Sequence, residues 1–237
     1  MPDKRQHRGR HPADAEAFSP EVQPTLRQAV ADLSWLLSHG YADKSAVKLV
    51  GDRYNLVERQ RIAVARCACS DAALARRTEH RVDASAVAHR PLLLDGYNVL
   101  TTIEAALAGG IVLAGRDGCY RDMASMHGTF RQVRETLPAL ALVGEFLAAR
   151  RVGEAVWLLD RPVSNSGRLK LKLIAVAAER TWPWRVELVG DPDAVLAATP
   201  DIVATADSMI LDRCARWFNL AREIVIQHVP RAPIVDL

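Results

Sequence analysis

Short apolar runs alternate with helix-like segments in the second half of the chain, and this alternation restricts the possible folds strongly. The apolar runs cover 92–94, 155–159, 185–189, 202–205 and 224–226, and helical patterns occupy about 130–150, 167–180, 192–197 and 207–218. Strands that alternate with helices form a parallel sheet, because each parallel crossover needs a connection of helix length. We therefore predict one α/β domain over residues 91–237, with helices on both faces of its sheet.

The first 90 residues have a different pattern. Residues 1–18 are rich in basic side chains and poor in large apolar ones, so we predict a disordered basic tail. From residue 19 onward, apolar residues recur at spacings of three and four, as on one face of a helix. The first such stripe is Val22, Leu26, Val30, Leu33 and Leu37. Residues 19–90 are therefore predicted to form a helical region and a linker.

Composition excludes several classes of protein. With 49% hydrophobic and 25% charged residues the chain is an ordinary globular one, and its net charge of +3 argues against binding nucleic acid by bulk positive charge. No apolar run approaches the roughly 18 residues of a membrane helix, and the four cysteines lack the paired spacing of a zinc site. We expect a cytoplasmic protein that does not enter a membrane.

Three of the predicted strands end in aspartate, at Asp95, Asp160 and Asp207. The carboxyl ends of parallel strands meet at one edge of a sheet, where ligands bind in open α/β folds. Each aspartate alone also fits the role of a helix cap or turn former. Together, however, their mutual repulsion would need a cation or a proton to offset it. Carboxylate oxygens suit Mg²⁺ or Mn²⁺, so we predict a metal site at this edge.

Other polar residues follow the same strands. Asn98 and Asp193 are candidate supporting ligands, although both residue types also begin helices. Ser164 or Ser166 can cap the helix that follows Asp160, leaving N–H groups at its N-terminus to bind phosphate. Arg168 adds a positive charge there. These three residues are the candidate phosphate-binding group.

Three motifs resemble one known family. The sequence Leu-Asp-Gly-Tyr-Asn-Val-Leu at 94–100 resembles the first-strand motif of the PIN-like superfamily, in particular its NYN branch. Leu-Leu-Asp at 158–160 and Ala-Thr-Ala-Asp-Ser at 204–208 are similar to that family's second strand-end aspartate and its Thr-x-Asp element. The resemblance covers about residues 91–228.

The PIN-like resemblance implies a three-layer α/β/α fold and RNA cleavage that depends on Mg²⁺ or Mn²⁺. It implies that the catalytic, metal-binding residues are Asp95, Asp160 and Asp207, and that Asn98, Thr205 and Ser208 support them. Residues 101–128 stand out as an insertion. Asp117 and Asp122 are candidates to point into the same cleft, but we expect an Asp-Gly turn at Asp117 and a surface pair of Arg121 with Asp122. This insertion and the helical segment at 48–54 also resemble uncharacterised prokaryotic proteins of unknown function.

The sequence-based hypothesis is a ribonuclease that hydrolyses RNA phosphodiester bonds with a metal-activated water. The alternative is a PIN-like domain that has lost activity and acts as an RNA-binding or protein-interaction module. A dinucleotide-binding enzyme is disfavoured, because no Gly-x-Gly-x-x-Gly follows the first strand.

Overall fold

A computed structural model describes residues 7–123 and 130–237. In chain order the helices are α1 (Asp14–Ala17), α2 (Gln23–Ser38), α3 (Asp43–Arg53), α4 (Glu58–Cys67), α5 (Asp71–His80), α6 (Gly96–Leu107), α7 (Thr136–Ala149), α8 (Ser166–Arg180), α9 (Pro192–Ala198), α10 (Ser208–Leu211) and α11 (Leu220–His228). The strands are β1 (Pro91–Asp95), β2 (Val112–Ala114), β3 (Tyr120–Asp122), β4 (Glu154–Asp160), β5 (Trp184–Val189), β6 (Ile202–Ala204), β7 (Arg216–Trp217) and β8 (Ile234–Asp236). Within these described ranges, none of the helices combines the length and the apolar character needed to cross a membrane.

The main sheet of the described residues is parallel and has the strand order β5-β4-β1-β6-β7. Strand β1 lies in the middle, where Leu92 is paired with Ala155 of β4 on one side and with Ile202 of β6 on the other. The predicted α/β domain with a parallel sheet is confirmed, and four of the five predicted strands are present.

Side chains that alternate along β1 pack against helices on opposite faces of the sheet. Leu92 and Leu94 belong to a core that includes α6, α7, α8 and α11, whereas Leu93 packs in a second core with α9 and α10. This follows from the two-residue period of a strand, because every residue in the apolar run of β1 is buried from one side or the other. The prediction of helices on both faces is confirmed.

A second, smaller sheet joins the helical region to the α/β domain. Its strand order is β3-β2-β8, and its first two strands belong to the segment that the sequence marks as an insertion. Leu113 of β2 and Val235 of β8 are buried in the core of α2, α3 and α4. Neighbouring Val112 packs on the opposite side against Val225 of α11. The small sheet is therefore covered by the helical region on one face and by the α/β domain on the other.

Two predicted elements near the C-terminus are wrong. The run 224–226 is not a strand but part of α11, where buried Leu220, Ala221, Ile224 and Val225 form one helical face. A short apolar run fits either a strand or a buried helix, so its own pattern does not distinguish them. The helix predicted over 207–218 ends at Leu211, and Arg216–Trp217 form the edge strand β7.

The predicted disorder of the basic tail is wrong for residues 7–18, whereas residues 1–6 lie outside the described part. Helix α1 and Phe18 pack into the core of the helical region. Arg8 forms an ion pair with the buried carboxylate of Glu104 in α6, and Arg59 of α4 forms one with buried Asp14. Residues 7–18 are ordered by partners that are distant in sequence and that composition does not reveal.

Candidate functional site

A pocket of about 400 Å³ opens at the carboxyl ends of β1, β4 and β6. From β1 the chain continues to β4 on one side of the sheet, whereas β6 lies on the other side of β1. Connections that diverge in this way leave a crevice, the usual ligand position in open α/β sheets. The predicted site residues that line the pocket are Asp95, Asn98, Asp160, Asp193, Asp207 and Ser208.

Asp95 ends β1 and is the most perturbed carboxyl group of the pocket. Its Oδ2 accepts a hydrogen bond of 2.8 Å from the Thr205 hydroxyl. The pKa of Asp95 is raised to about 7, chiefly by burial and also by the negative charges of Asp207 and Asp193, against the opposing effect of that hydrogen bond. The carboxylates are therefore close enough to disfavour one another's ionisation, which is typical of functional sites.

Asn98 and Thr205 link the start of α6 to the segment after β6. The Asn98 Oδ1 accepts a hydrogen bond of 2.8 Å from the Ala206 amide, and the Thr205 Oγ1 accepts one of 3.0 Å from the Asp207 amide. Thr205 does not line the pocket but holds Asp95 from behind. These contacts fix the relative positions of the two strand ends that carry Asp95 and Asp207.

Asp207 has a structural contact as well as a place in the pocket. Its Oδ1 accepts hydrogen bonds from the Met209 and Ile210 amides, at 2.8 and 3.3 Å, and so caps α10. Asp191 caps α9 in the same way, which places Asp193 in the first turn of that helix. Burial and the charges of Asp207 and Asp160 raise the pKa of Asp193. Asp207 therefore caps a helix and also lines the pocket.

The small sheet supplies a wall of the pocket, and for Asp122 the cleft alternative applies instead of the expected surface pair. Asp122 of β3 is buried, and its Oδ2 accepts hydrogen bonds from the hydroxyls of Thr101 and Thr102, at 3.0 and 3.3 Å. Arg66 of α4 donates a hydrogen bond to the Asp122 carbonyl oxygen. The expected surface pair between Asp122 and Arg121 is therefore wrong: both side chains are buried and line the pocket.

A buried ion network supports this wall from behind. The Asp117 carboxylate accepts hydrogen bonds of 2.7 Å from Arg77 and 2.6 Å from Arg121. Burial opposes ionisation of Asp117, but the two guanidinium groups hold its pKa well below the usual range. The Arg121 Nε donates to the Ala206 carbonyl oxygen at 2.8 Å, so the network is attached to the residue before Asp207. Asp117 is thus a buried anchor rather than only a turn residue.

The candidate phosphate-binding group does not line the pocket. Ser164 and Arg168 are exposed, whereas Ser166 is buried and its hydroxyl donates to the Arg161 carbonyl oxygen at 3.4 Å. No side chain caps α8: its N-cap position is Asn165, in a left-handed conformation with φ of 70°, and Ser166 is its first residue. The helix itself is present as predicted, but its N-terminus lies outside the acidic pocket.

The chemistry of the pocket suits a hard cation, although the ligands are not gathered into a finished site. Carboxylate and amide oxygens line it, as Mg²⁺ and Mn²⁺ require. The lining also includes Tyr97, whose pKa is raised by burial and by the charge of Asp160. Within 7–123 and 130–237, no three His, Cys, Asp or Glu side chains are close enough together to hold an ion as they stand.

Comparison with known proteins identifies a family without a known activity. Residues 25–80 match a model described as a protein of unknown function (DUF434), and residues 84–223 match one described as a domain of unknown function (DUF5616). The uncharacterized protein MJ0935 of Methanocaldococcus jannaschii is 27% identical over 187 residues, which cover 79% of this chain and 89% of that protein. No solved structure matches. Because the second model spans more than half of the sequence, the chain belongs to the DUF5616 family.

Proposed function

We propose that the chain is a metal-dependent ribonuclease whose α/β domain is PIN-like. The observation that carries the proposal is the convergence of Asp95, Asp160, Asp193 and Asp207 on one pocket at the switch point of the sheet. Three of these residues, Asp95, Asp160 and Asp207, end strands or follow them directly. The charges of Asp207 and Asp193 raise the pKa of Asp95, and those of Asp207 and Asp160 raise that of Asp193. A substrate with a polyanionic backbone is compatible with such a pocket only when cations neutralise the carboxylates.

In this proposal Asp95, Asp160 and Asp207 hold Mg²⁺ or Mn²⁺. The bound ions would activate water and neutralise the leaving oxygen of the RNA phosphodiester. Asp193, in the first turn of α9, is a further carboxylate beside them. Deprotonation of Asp95, whose pKa burial raises to about 7, would accompany ion binding near neutral pH.

The remaining residues of the site position these carboxylates. Thr205 donates a hydrogen bond to one oxygen of Asp95 and so fixes the orientation of this carboxylate. Asn98 binds the backbone next to Asp207 and therefore maintains the separation of the two strand ends. Ser208, at the start of α10, lines the pocket beside Asp207 and is proposed to orient a ligand through its hydroxyl.

A second function is favoured by the helix cap at Asp207 and by the distances between the side chains that could bind a metal ion. One oxygen of Asp207 is engaged in a helix cap, and no three ligand-type side chains of the described residues are gathered around one point. Those observations favour an inactive PIN-like module that binds RNA or another protein without cleaving a bond. The two functions make opposite predictions about metal-dependent cleavage.

The test is incubation of the purified protein with labelled single-stranded and structured RNA under Mg²⁺, Mn²⁺ or EDTA. The variants are Asp95→Asn and Asp207→Asn, which keep side-chain volume, and Asn at 207 retains a helix cap. Glu179→Gln, an exposed carboxylate of α8, is the control. Cleavage should require metal, disappear in both variants and persist in the control.

Cleavage that survives EDTA or either substitution would overturn the metal mechanism. Absence of cleavage together with absence of Mg²⁺ or Mn²⁺ binding in calorimetry would favour the inactive module. Binding of the same RNA without cleavage would then identify RNA as the partner of that module.

A further inference from the structure

The pocket is built from both parts of the chain. Asp95, Asp160 and Asp207 belong to the α/β domain, but Ala65 and Arg66 of α4 also line the pocket. Helix α4 lies within the segment that matches the DUF434 model, whereas the aspartates lie within the DUF5616 segment. The helical region therefore contributes directly to the site.

Arg66 is held in place by contacts between α4 and the small sheet. It donates to the Asp122 carbonyl oxygen, and its Nη1 lies 4.0 Å from the Asp122 Oδ1. The next residue, Cys67, accepts a hydrogen bond of 2.9 Å from the Arg116 amide, and the Arg116 side chain donates to the Cys69 carbonyl oxygen at 2.8 Å. The C-terminal end of α4 is thus fixed to the β2–β3 turn, and Arg66 has a defined position beside the carboxylates.

Among the described residues that line the pocket, two are basic, Arg66 and Arg121, and they differ in their contacts and in their exposure. Arg121 is committed to Asp117 and to the Ala206 carbonyl oxygen, and its side chain is only 8% exposed. The Arg66 side chain lines the pocket, contacts Asp122 and is 31% exposed. An anionic strand that enters an acidic pocket gains from a cation at its edge, and an arginine fork matches phosphate oxygens in shape and charge.

We propose that Arg66 binds a backbone phosphate of the RNA strand that enters the pocket, so that the helical region forms part of the substrate site. This proposal rests on the proposed ribonuclease function and names the part of the site that recognises the strand. It assigns the contact to α4 rather than to the N-terminus of α8, which lies outside the pocket.

The experiment measures binding of a labelled single-stranded RNA at several salt concentrations, in an Asp207→Asn background with Mg²⁺ present so that proposed cleavage is blocked. Arg66→Gln is compared with Arg66→Lys and with Arg231→Gln, an exposed arginine away from the pocket. Thermal melts of all variants check that each is folded.

Loss of one charged contact should weaken RNA binding about tenfold at low salt. It should also reduce the slope of log K against log salt by roughly 0.7, the value for one phosphate contact on a single strand. Arg66→Lys should retain that slope because it keeps the charge, and Arg231→Gln should retain both affinity and slope.

An unchanged slope in folded Arg66→Gln would overturn the Arg66 contact and leave the ribonuclease proposal standing. If RNA binding depends on Arg66 but the wild-type protein does not cleave RNA, only the catalytic part of the proposed function is overturned, and the Arg66 contact stands. Failure of the parent protein to bind RNA at all would overturn both.

Discussion

Replacing Asp117 by Asn should destabilise the protein far more than removing an exposed ion pair between the same two parts of the chain. Asp117 lies between Arg77 of α5 and Arg121 of β3, with hydrogen bonds of 2.7 and 2.6 Å. The side chains of these three residues are 1%, 4% and 8% exposed, respectively. Asn keeps the size of the side chain but leaves buried Arg121 without the negative charge that faces it, while Arg77 retains only its 2.7 Å ion pair with partly exposed Asp212.

The burial of these side chains determines how much free energy of unfolding the substitution removes. Breaking a buried ion pair by removing one partner costs about 3–5 kcal/mol, because the remaining charge is left uncompensated. For a chain of this size that corresponds to a decrease of roughly 6–20 °C in Tm. Loss of the anchor at Ala206 should also speed amide hydrogen exchange at Met209 and Ile210, since Arg121 binds the segment that leads into α10.

Urea unfolding and thermal melts at neutral pH measure the loss, and Asp71→Asn is the matched control. Asp71 pairs with Arg116 at 2.6 Å across the same boundary, but its side chain is 73% exposed. Exposed pairs contribute at most about 1 kcal/mol. A loss below about 1 kcal/mol for Asp117→Asn, or one equal to that of the control, would refute the reasoning.

Three further predictions concern the pocket and the tail. Because folding raises the pKa of Asp95 to about 7, the unfolding free energy in EDTA should fall as pH rises from about 4 to 7, by up to roughly 4 kcal/mol, and Asp95→Asn should flatten this decline in urea melts. Asp207→Ala should lower stability by about 1 kcal/mol through loss of the α10 cap, whereas Asp207→Asn should leave the melting curve nearly unchanged. Glu104→Gln should weaken the attachment of Arg8, and limited proteolysis with trypsin should then cut at Arg10 sooner than in the wild type.

The parts of the site that follow strand ends could be predicted from local sequence. Asp95, Asp160 and Asp207 end short apolar runs, and parallel topology brings the ends of such runs to one edge. Asp193 follows a strand in the same way. The chemical use of these residues stays a prediction, because placement in one pocket does not establish catalysis.

The wall formed by Arg66 and Asp122 could not be predicted in this way. These residues are 56 positions apart, and their contact depends on how α4 packs against the small sheet. The sequence around Asp122 resembles a surface pair, since an Arg-Asp dipeptide looks the same whether it is solvated or buried by a distant helix. In the sequence, only the apolar residues of β2 indicate that this segment is buried. Leu113 of β2 packs in the core of the helical region.

The central position of β1 has a consequence for the folding of the chain. Its partners β4 and β6 are far apart in sequence, and Thr205 lies 110 positions from Asp95. Contacts of such long range form slowly, because the entropy of closing the loop is lost before the contacts stabilise it. Until β6 joins, one edge of β1 remains open along its three leucines, and an open apolar edge promotes association between chains. Slow synthesis at low temperature should therefore improve the yield of folded protein.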